Sequence, residues 1–226
     1  DYVRVKTQVP EGTLDTGNDE IHAQLQSWVV DINGMKVLID TGAGNHKERP
    51  GIPLFGQLET PFIERLAAAG FAPEDIDMVI CTHLHVDHVG WNTMLVDGKW
   101  VPTFPKARYL IGKREWDFWS TEDDEDNAPV LADSVQPIFD AGLADLVSDD
   151  HVVCDEVRLR PTPGHTPGHV SIVISSKGET AIITGDLMHH PCQMAKTDWR
   201  SAFDSDGDMA EKTRHAFLAE MADADT

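Results

Sequence analysis

Apolar and polar positions alternate along this chain in short blocks, and each block predicts an element. "LQSWVVDI" (25–32) and "MKVLID" (35–40) are β-rich runs that flank Asn33-Gly34, the strongest short signal for a two-residue hairpin turn. "DMVICT" (77–82), "ARYLIG" (107–112), "VRLRPT" (157–162), "HVSIVISS" (169–176) and "ETAIITGD" (179–186) read as further strands. Lys177-Gly178 joins the last two into a second hairpin. "TPFIERLAAAGF" (60–71) shows helical apolar spacing, with Thr60 as the expected N-cap and Gly70 as the stop. Helical patterns also cover 113–119, 129–141 and 208–222. Residues 1–20 are polar and carry no clear element, and "TEDDEDNAP" (121–129) reads as an exposed acidic loop. Strands and helices therefore interleave, which predicts an α/β chain of mixed sheets covered by helices. With 226 residues and no internal repeat or low-complexity linker, 1–226 is expected to form a single domain.

Composition narrows the function classes. Hydrophobic residues are 41% and charged residues 25%, as in an ordinary globular protein. Thirty-nine acids against eighteen bases give a formal charge of -21, which argues against nucleic acid or an anionic membrane surface as partner. No apolar run approaches the ~18 residues of a membrane span. Cys81, Cys154 and Cys192 are odd in number and lack CxxC spacing, so they read as structural thiols in a reducing compartment. A cytoplasmic location is the expectation, although a chain starting at Asp1 leaves a removed signal peptide open.

The chemistry lies in "CTHLHVDHVGWN" (81–92), where three histidines and an aspartate fall within six positions. In an extended segment after the 77–82 strand, His83 and His85 point to the same side. A turn beginning near Asp87 swings Asp87 and His88 towards a neighbouring position, so one segment can serve two adjacent ions. Imidazole and carboxylate are the usual zinc ligands, and two ions need further donors. Downstream, "TPGHTPGHVS" puts His165 in a Pro-Gly turn after one strand, and "TGDLMHH" puts Asp186 at the end of another.

These three motifs, in this order, resemble the metallo-β-lactamase-fold hydrolases, and "LIDTGAGN" (38–45) is similar to that family's segment upstream of the histidines. The resemblance spans about 25–200 and implies a four-layer αββα sandwich of two mixed sheets between helical layers. It implies that His83, His85 and His165 bind a first zinc, that Asp87 and His88 bind a second, and that Asp186 bridges them. Members with two metals usually carry one more histidine on a strand after the last long helix. Here the chain stops at "AFLAEMADADT", and His215 lies on the helix pattern itself. The expectation is a trimmed or partial chain that lacks terminal strands, with the second metal either weakly held or completed by a substitute ligand, for which His189 or His190 are the nearest candidates. Iron or manganese are alternatives to zinc for this ligand set.

Chemically, zinc lowers the pKa of a bound water from 15.7 to about 7, so a metal-bound hydroxide is the expected nucleophile. No G-x-S-x-G elbow competes with it. Asp87 is a candidate proton acceptor. His189 stands three residues after Asp186, where lactone-cleaving relatives carry a tyrosine, and is the candidate donor to substrate. Asp40 either holds a ligand histidine by hydrogen bond or simply forms a turn, and His169 reads as structural. Trp91, Trp116 and Trp119 are either core or the wall of an apolar pocket. The favoured function is hydrolysis of small-molecule esters or lactones, near the lactonase and organophosphate hydrolase branches. Organophosphate or β-lactam hydrolysis, an iron-dependent persulfide dioxygenase and a non-catalytic metal-binding relative stand as alternatives. The oligomeric state is left open, a homodimer included.

Overall fold

The computed structural model describes residues 24–122 and 124–222, together with the backbone of a short antiparallel pair, β1 (Leu14–Asp15) and β2 (Glu20–Ile21). The rest of the polar 1–20 segment lies outside the described residues. The chain divides into two compact units, Leu25–Ser148 and a second made of Asp149–Thr226 with Asp1–Gln24.

The Leu25–Ser148 unit is built on a five-stranded sheet. β3 (Trp28–Ile32) and β4 (Met35–Ile39) form the expected hairpin, with Asn33 and Gly34 both at positive φ as its turn demands. β5 (Met78–Cys81) then pairs parallel to β4. After it comes a small hairpin, β6 (Thr93–Val96) and β7 (Lys99–Pro102), around Asp97-Gly98. β8 (Arg108–Gly112) pairs parallel to β5, and β9 (Ala144–Val147) completes the order β3-β4-β5-β8-β9. The central strands are near-continuous apolar runs with buried side chains at successive positions, the pattern usual for parallel strands. Leu38, Val79, Tyr109, Ile111 and Ile138 are among the side chains of the resulting core.

Helix α1 (Phe62–Ala68) follows β4. Its N-cap is Pro61 rather than Thr60, because the Thr60 backbone N–H and hydroxyl both donate to Asn45 Oδ1 and so tie the segment to the 40s loop. Gly70, at φ 94°, ends it as expected. α2 (Lys113–Trp119) follows β8. The single helix expected over 129–141 is instead α3 (Ala128–Val130), a π turn over Leu131–Val135 and α4 (Gln136–Asp140). Pro137 explains the break, since it has no N–H to donate to the carbonyl of Asp133 four residues earlier. That carbonyl accepts from Lys47 Nζ and Thr93 Oγ1 instead. β6, β7 and β9 were not predicted. The Asp97-Gly98 turn was a readable signal for the first two, whereas β9 ("ADLV") is a short, partly exposed edge strand.

The second unit carries a three-stranded antiparallel sheet, β10 (Val157–Pro161), β11 (Val170–Ser176) and β12 (Glu179–Ile183). Lys177 and Gly178 turn at positive φ between the last two, as expected. β12 stops at Ile183, short of Asp186, which lies on a 3₁₀ turn over Gly185–Leu187. α5 (Cys192–Ala195) and α6 (Gly207–Met221) follow. Asp206 caps α6 by accepting from Met209 N. No helix among the described residues is long and apolar enough to cross a membrane.

Candidate metal centre

In the Leu25–Ser148 unit, two parallel neighbours end side by side, β4 at Ile39 and β5 at Cys81. The loops beyond carboxyl ends of such strands are where an α/β sheet builds its sites. Asp40 takes a left-handed φ of 53°, and its N–H still bonds Ile80 O at 3.0 Å, so its side chain turns towards the neighbouring loop. There Oδ1 accepts from Thr82 N, and Oδ2 accepts from both Thr82 Oγ1 and His88 Nδ1, each at 2.8 Å. The Thr82 hydroxyl, having given its proton to Asp40, accepts from His83 Nδ1 at 3.0 Å. One buried carboxylate thus sets the orientation of two histidines, one directly and one through a threonine. A donated Nδ1–H puts the imidazole lone pair on Nε2, the arrangement a metal ligand needs. Of the two sequence readings of Asp40, the hydrogen-bonding one is observed.

The chain beyond β5 turns through 86–88. The His83 ring packs edge-on to His85 at 4.7 Å and tilted to His88 at 4.0 Å, so all three gather at one place. Asp87 Oδ1 lies 3.8 Å from His88 Nε2. Glu115 of α2, buried and unremarked in the sequence, braces this segment by accepting from Leu84 N at 3.1 Å and Trp119 Nε1 at 2.7 Å. Trp119 sits edge-on to His85 at 5.4 Å, and Trp116 packs on Phe139, so these two belong to the core. Trp91 does wall an apolar groove of about 430 Å³, where it stacks on Phe62 with Leu25, Val29 and Phe71 nearby. Burial, with Asp40 adding to it, pushes the Cys81 thiol up to about 12, so in the metal-free protein it stays protonated.

In the second unit, His165 lies in the β10–β11 loop and Asp186 on the turn after β12. Ligand atoms of His165, Asp186 and His189 fall within 4.8 Å of one another. Asp186 Oδ2 is 3.4 Å from His165 Nε2 and 3.3 Å from His189 Nε2. Both ring nitrogens of His189 are buried without a hydrogen-bond partner among the described residues, a costly state that a bound ion or substrate would relieve. His190 differs: its Nδ1 accepts from Cys192 N at 3.1 Å, at the start of α5. His169 is structural, as read, since its Nδ1 bonds Thr162 and its Nε2 accepts from Asp186 N at 3.0 Å, which fixes the aspartate's backbone. His215 is exposed on α6.

Asp204 was not foreseen. Its Oδ1 accepts from His165 Nδ1 at 3.0 Å and its Oδ2 from Ser201 N at 2.9 Å. Burial alone would raise this carboxyl, but the His165 and Ser201 hydrogen bonds outweigh it and hold the group below the usual range. The only sequence signal was an acid in a short loop before a helix, indistinguishable from a cap. Imidazole nitrogens and carboxylate oxygens, as each unit presents them, suit zinc and similar divalent ions.

The family model of the metallo-beta-lactamase superfamily matches residues 23–225. The chain is 26% identical over 189 residues to an N-acyl homoserine lactonase of Bacillus cereus, covering 78% of this chain and 68% of that one. It is 28% identical over 165 residues to an N-acyl homoserine lactonase of a Bacillus species, covering 68% of this chain and 59% of the relative. Among solved structures, it is similar to the beta-lactamase-superfamily hydrolase AbOPH, with a TM-score of 0.74 and 26% identity, over 96% of this chain and 72% of the other. It is also similar to AidC, described as a dizinc quorum-quenching lactonase in complex with its product, with a TM-score of 0.72 and 26% identity, over 91% and 71%. Sequence and fold agree from β3 to the end of α6, and this protein belongs to the metallo-β-lactamase superfamily.

Proposed function

We propose that this protein is a metal-dependent hydrolase that opens small-molecule lactones or esters, working as one catalytic domain. The ligand set proposed is His83, His85 and His165 for one divalent ion and Asp87 and His88 for a second, with Asp186 bridging. The observation that carries this reading is the treatment of the imidazoles. His83, His88 and His165 are each anchored through Nδ1, to Thr82, Asp40 and Asp204 respectively, which directs Nε2 to be the donor atom. Histidines that merely fill a core have no need to share one tautomer. The names of the lactonase relatives support the substrate class.

When bound by these residues, a divalent ion would supply Lewis acidity, which lowers the pKa of a water from 15.7 to about 7 and polarises a carbonyl oxygen. The chain's own part is orientation and proton handling. Asp40 and Asp204 hold the ligands in register, and Asp87 is the group that accepts a proton. His189, with no competing hydrogen bond, is the donor to the substrate's carbonyl or departing oxygen. The Trp91–Phe62 groove offers an apolar surface for a non-reacting part of the substrate.

The test is metal analysis of the purified protein beside a hydrolysis panel of lactone, aryl ester, phosphotriester and β-lactam. The expected result is lactone or ester opening that a chelator abolishes and zinc restores, and that His83→Ala removes. Mononuclear iron with oxygen consumption, or a metal-loaded protein that opens neither substrate, would overturn the reading.

A further inference from the structure

Resting on the reading that His165 is a metal ligand, we infer that Asp204 and Arg214 are positioning residues for that half of the centre, and that α6 with its preceding loop is the frame that fixes it. The contacts are specific to the His165 turn. Ser205 N donates to His165 O at 2.8 Å, Asp206 N to Gly164 O at 3.0 Å, and Thr213 Oγ1 to Pro163 O at 2.7 Å. Gly164 packs so closely that a Cβ there would lie 2.3 Å from Ala210 N, and its φ of 135° already demands glycine. The main chain around His165 is therefore seated against α6 on several sides.

Asp204 then fixes the ring. Its side chain is 1% exposed and that of His165 2%, so their 3.0 Å hydrogen bond is shielded from competing water. A carboxylate can only accept, which leaves Nδ1 as the protonated nitrogen and Nε2 with the lone pair. Arg214 stands behind the carboxylate, wholly buried on α6, with Nη2 4.0 Å from Asp204 Oδ2. No other partner for Nη2 is seen among the described residues. The remaining nitrogens of the same guanidinium donate to Leu187 O at 3.0 Å, Thr197 O at 2.9 Å and Trp199 O at 2.6 Å. Leu187 follows Asp186 directly, so one side chain hydrogen-bonds the turn that carries Asp186 and places its positive charge 4.0 Å from the carboxylate that orients His165. A buried arginine held by three carbonyls has an ordered geometry that a flexible lysine would not reproduce.

The experiment measures Zn²⁺ affinity by titration against a competing chelator, for the wild type, Asp204→Asn, His165→Ala and the double variant. Asp204→Asn is expected to weaken zinc binding 10–100-fold, the usual loss when an outer partner of a ligand histidine is removed. In the His165→Ala background the same substitution should cost nothing further. Additive losses in the double variant would overturn the inference, because they would mean Asp204 acts through the fold at large. If His165→Ala leaves zinc affinity unchanged, the ligand assignment itself fails. If His165→Ala weakens binding and Asp204→Asn does not, only the positioning role fails. A measurement on the metal-free wild type stands apart from any folding defect. Nitrogen-15 shifts of His165 should report the Nδ1–H tautomer, and an Nε2–H tautomer would overturn the inference.

Discussion

Asp40→Asn isolates the electrostatic logic of the β4–β5 loops from their shape. Asparagine is isosteric and, like aspartate, tolerates the φ of 53° seen here, so the backbone has no reason to move. What changes is Oδ2, which now accepts from Thr82 Oγ1 and His88 Nδ1 at 2.8 Å each. With an NH₂ in its place, two donors face a donor. Flipping the amide merely transfers the conflict to Thr82 N, also at 2.8 Å. The cheapest relief is for His88 to move its proton to Nε2, and for the Thr82 hydroxyl to turn and donate to His83, which drives His83 to the same tautomer. Both histidines then present an N–H where a metal needs a lone pair. At about 10–100-fold per outer partner, two affected ligands give a zinc affinity loss of about 10²–10⁴, or about 3–6 kcal/mol. The metal-free fold should suffer much less. The charge-assisted hydrogen bonds to the carboxylate become neutral ones, a difference of about 2 kcal/mol and a Tm lower by about 4–8 °C. Competitive zinc titration beside thermal melts of the metal-free protein separates the two numbers. Zinc affinity within about threefold of the wild type would refute the claim that Asp40 directs His83 and His88 towards a metal.

Gly90→Ala should unfold the same region by shape alone: a Cβ would lie 1.9 Å from the Ala43 carbonyl carbon, and no rotamer change relieves contact with backbone. The loss should be at least about 3 kcal/mol in urea denaturation, and a change below 1 would contradict the packing described. Lys47 is buried beneath Trp100, and desolvation, only partly offset by Asp133, draws its pKa down from 10.5 to about 8. The unfolded chain therefore holds more protons between about 8 and 10.5, so stability should rise with pH across that window, the burial cost being fully present below it. A Tm difference between wild type and Lys47→Met that stays flat from pH 7.5 to 10 would rule this out. Trp91→Ala should reduce kcat/KM for lactones with long apolar chains more than for short ones, and an equal reduction would exclude the groove as the chain's seat.

Much of this protein could be read from its sequence because much of it is locally encoded. The two positive-φ turns, Asn33-Gly34 and Lys177-Gly178, and the apolar runs of β4, β5 and β8 depend on side-chain chemistry within a few residues. The histidine cluster was legible for the same reason, since a strand end followed by a tight turn gathers His83, His85 and His88 without help from distant residues. The sequence could not show what holds those rings. Asp40 lies 42 residues from Thr82 and 48 from His88, and they meet only because β4 and β5 pair in parallel and end together. Asp204 is 39 residues from His165, and Glu115 is 31 from Leu84. Nor could the pattern foresee that Pro137 would break a helix and so release the Asp133 carbonyl to Lys47 and Thr93. The sequence by itself determined which side chains were able to bind a metal. The tertiary structure alone decided which nitrogen each histidine presents, because that rests on buried carboxylates brought from elsewhere in the chain, and their hydrogen bonds hold only where packing has excluded water.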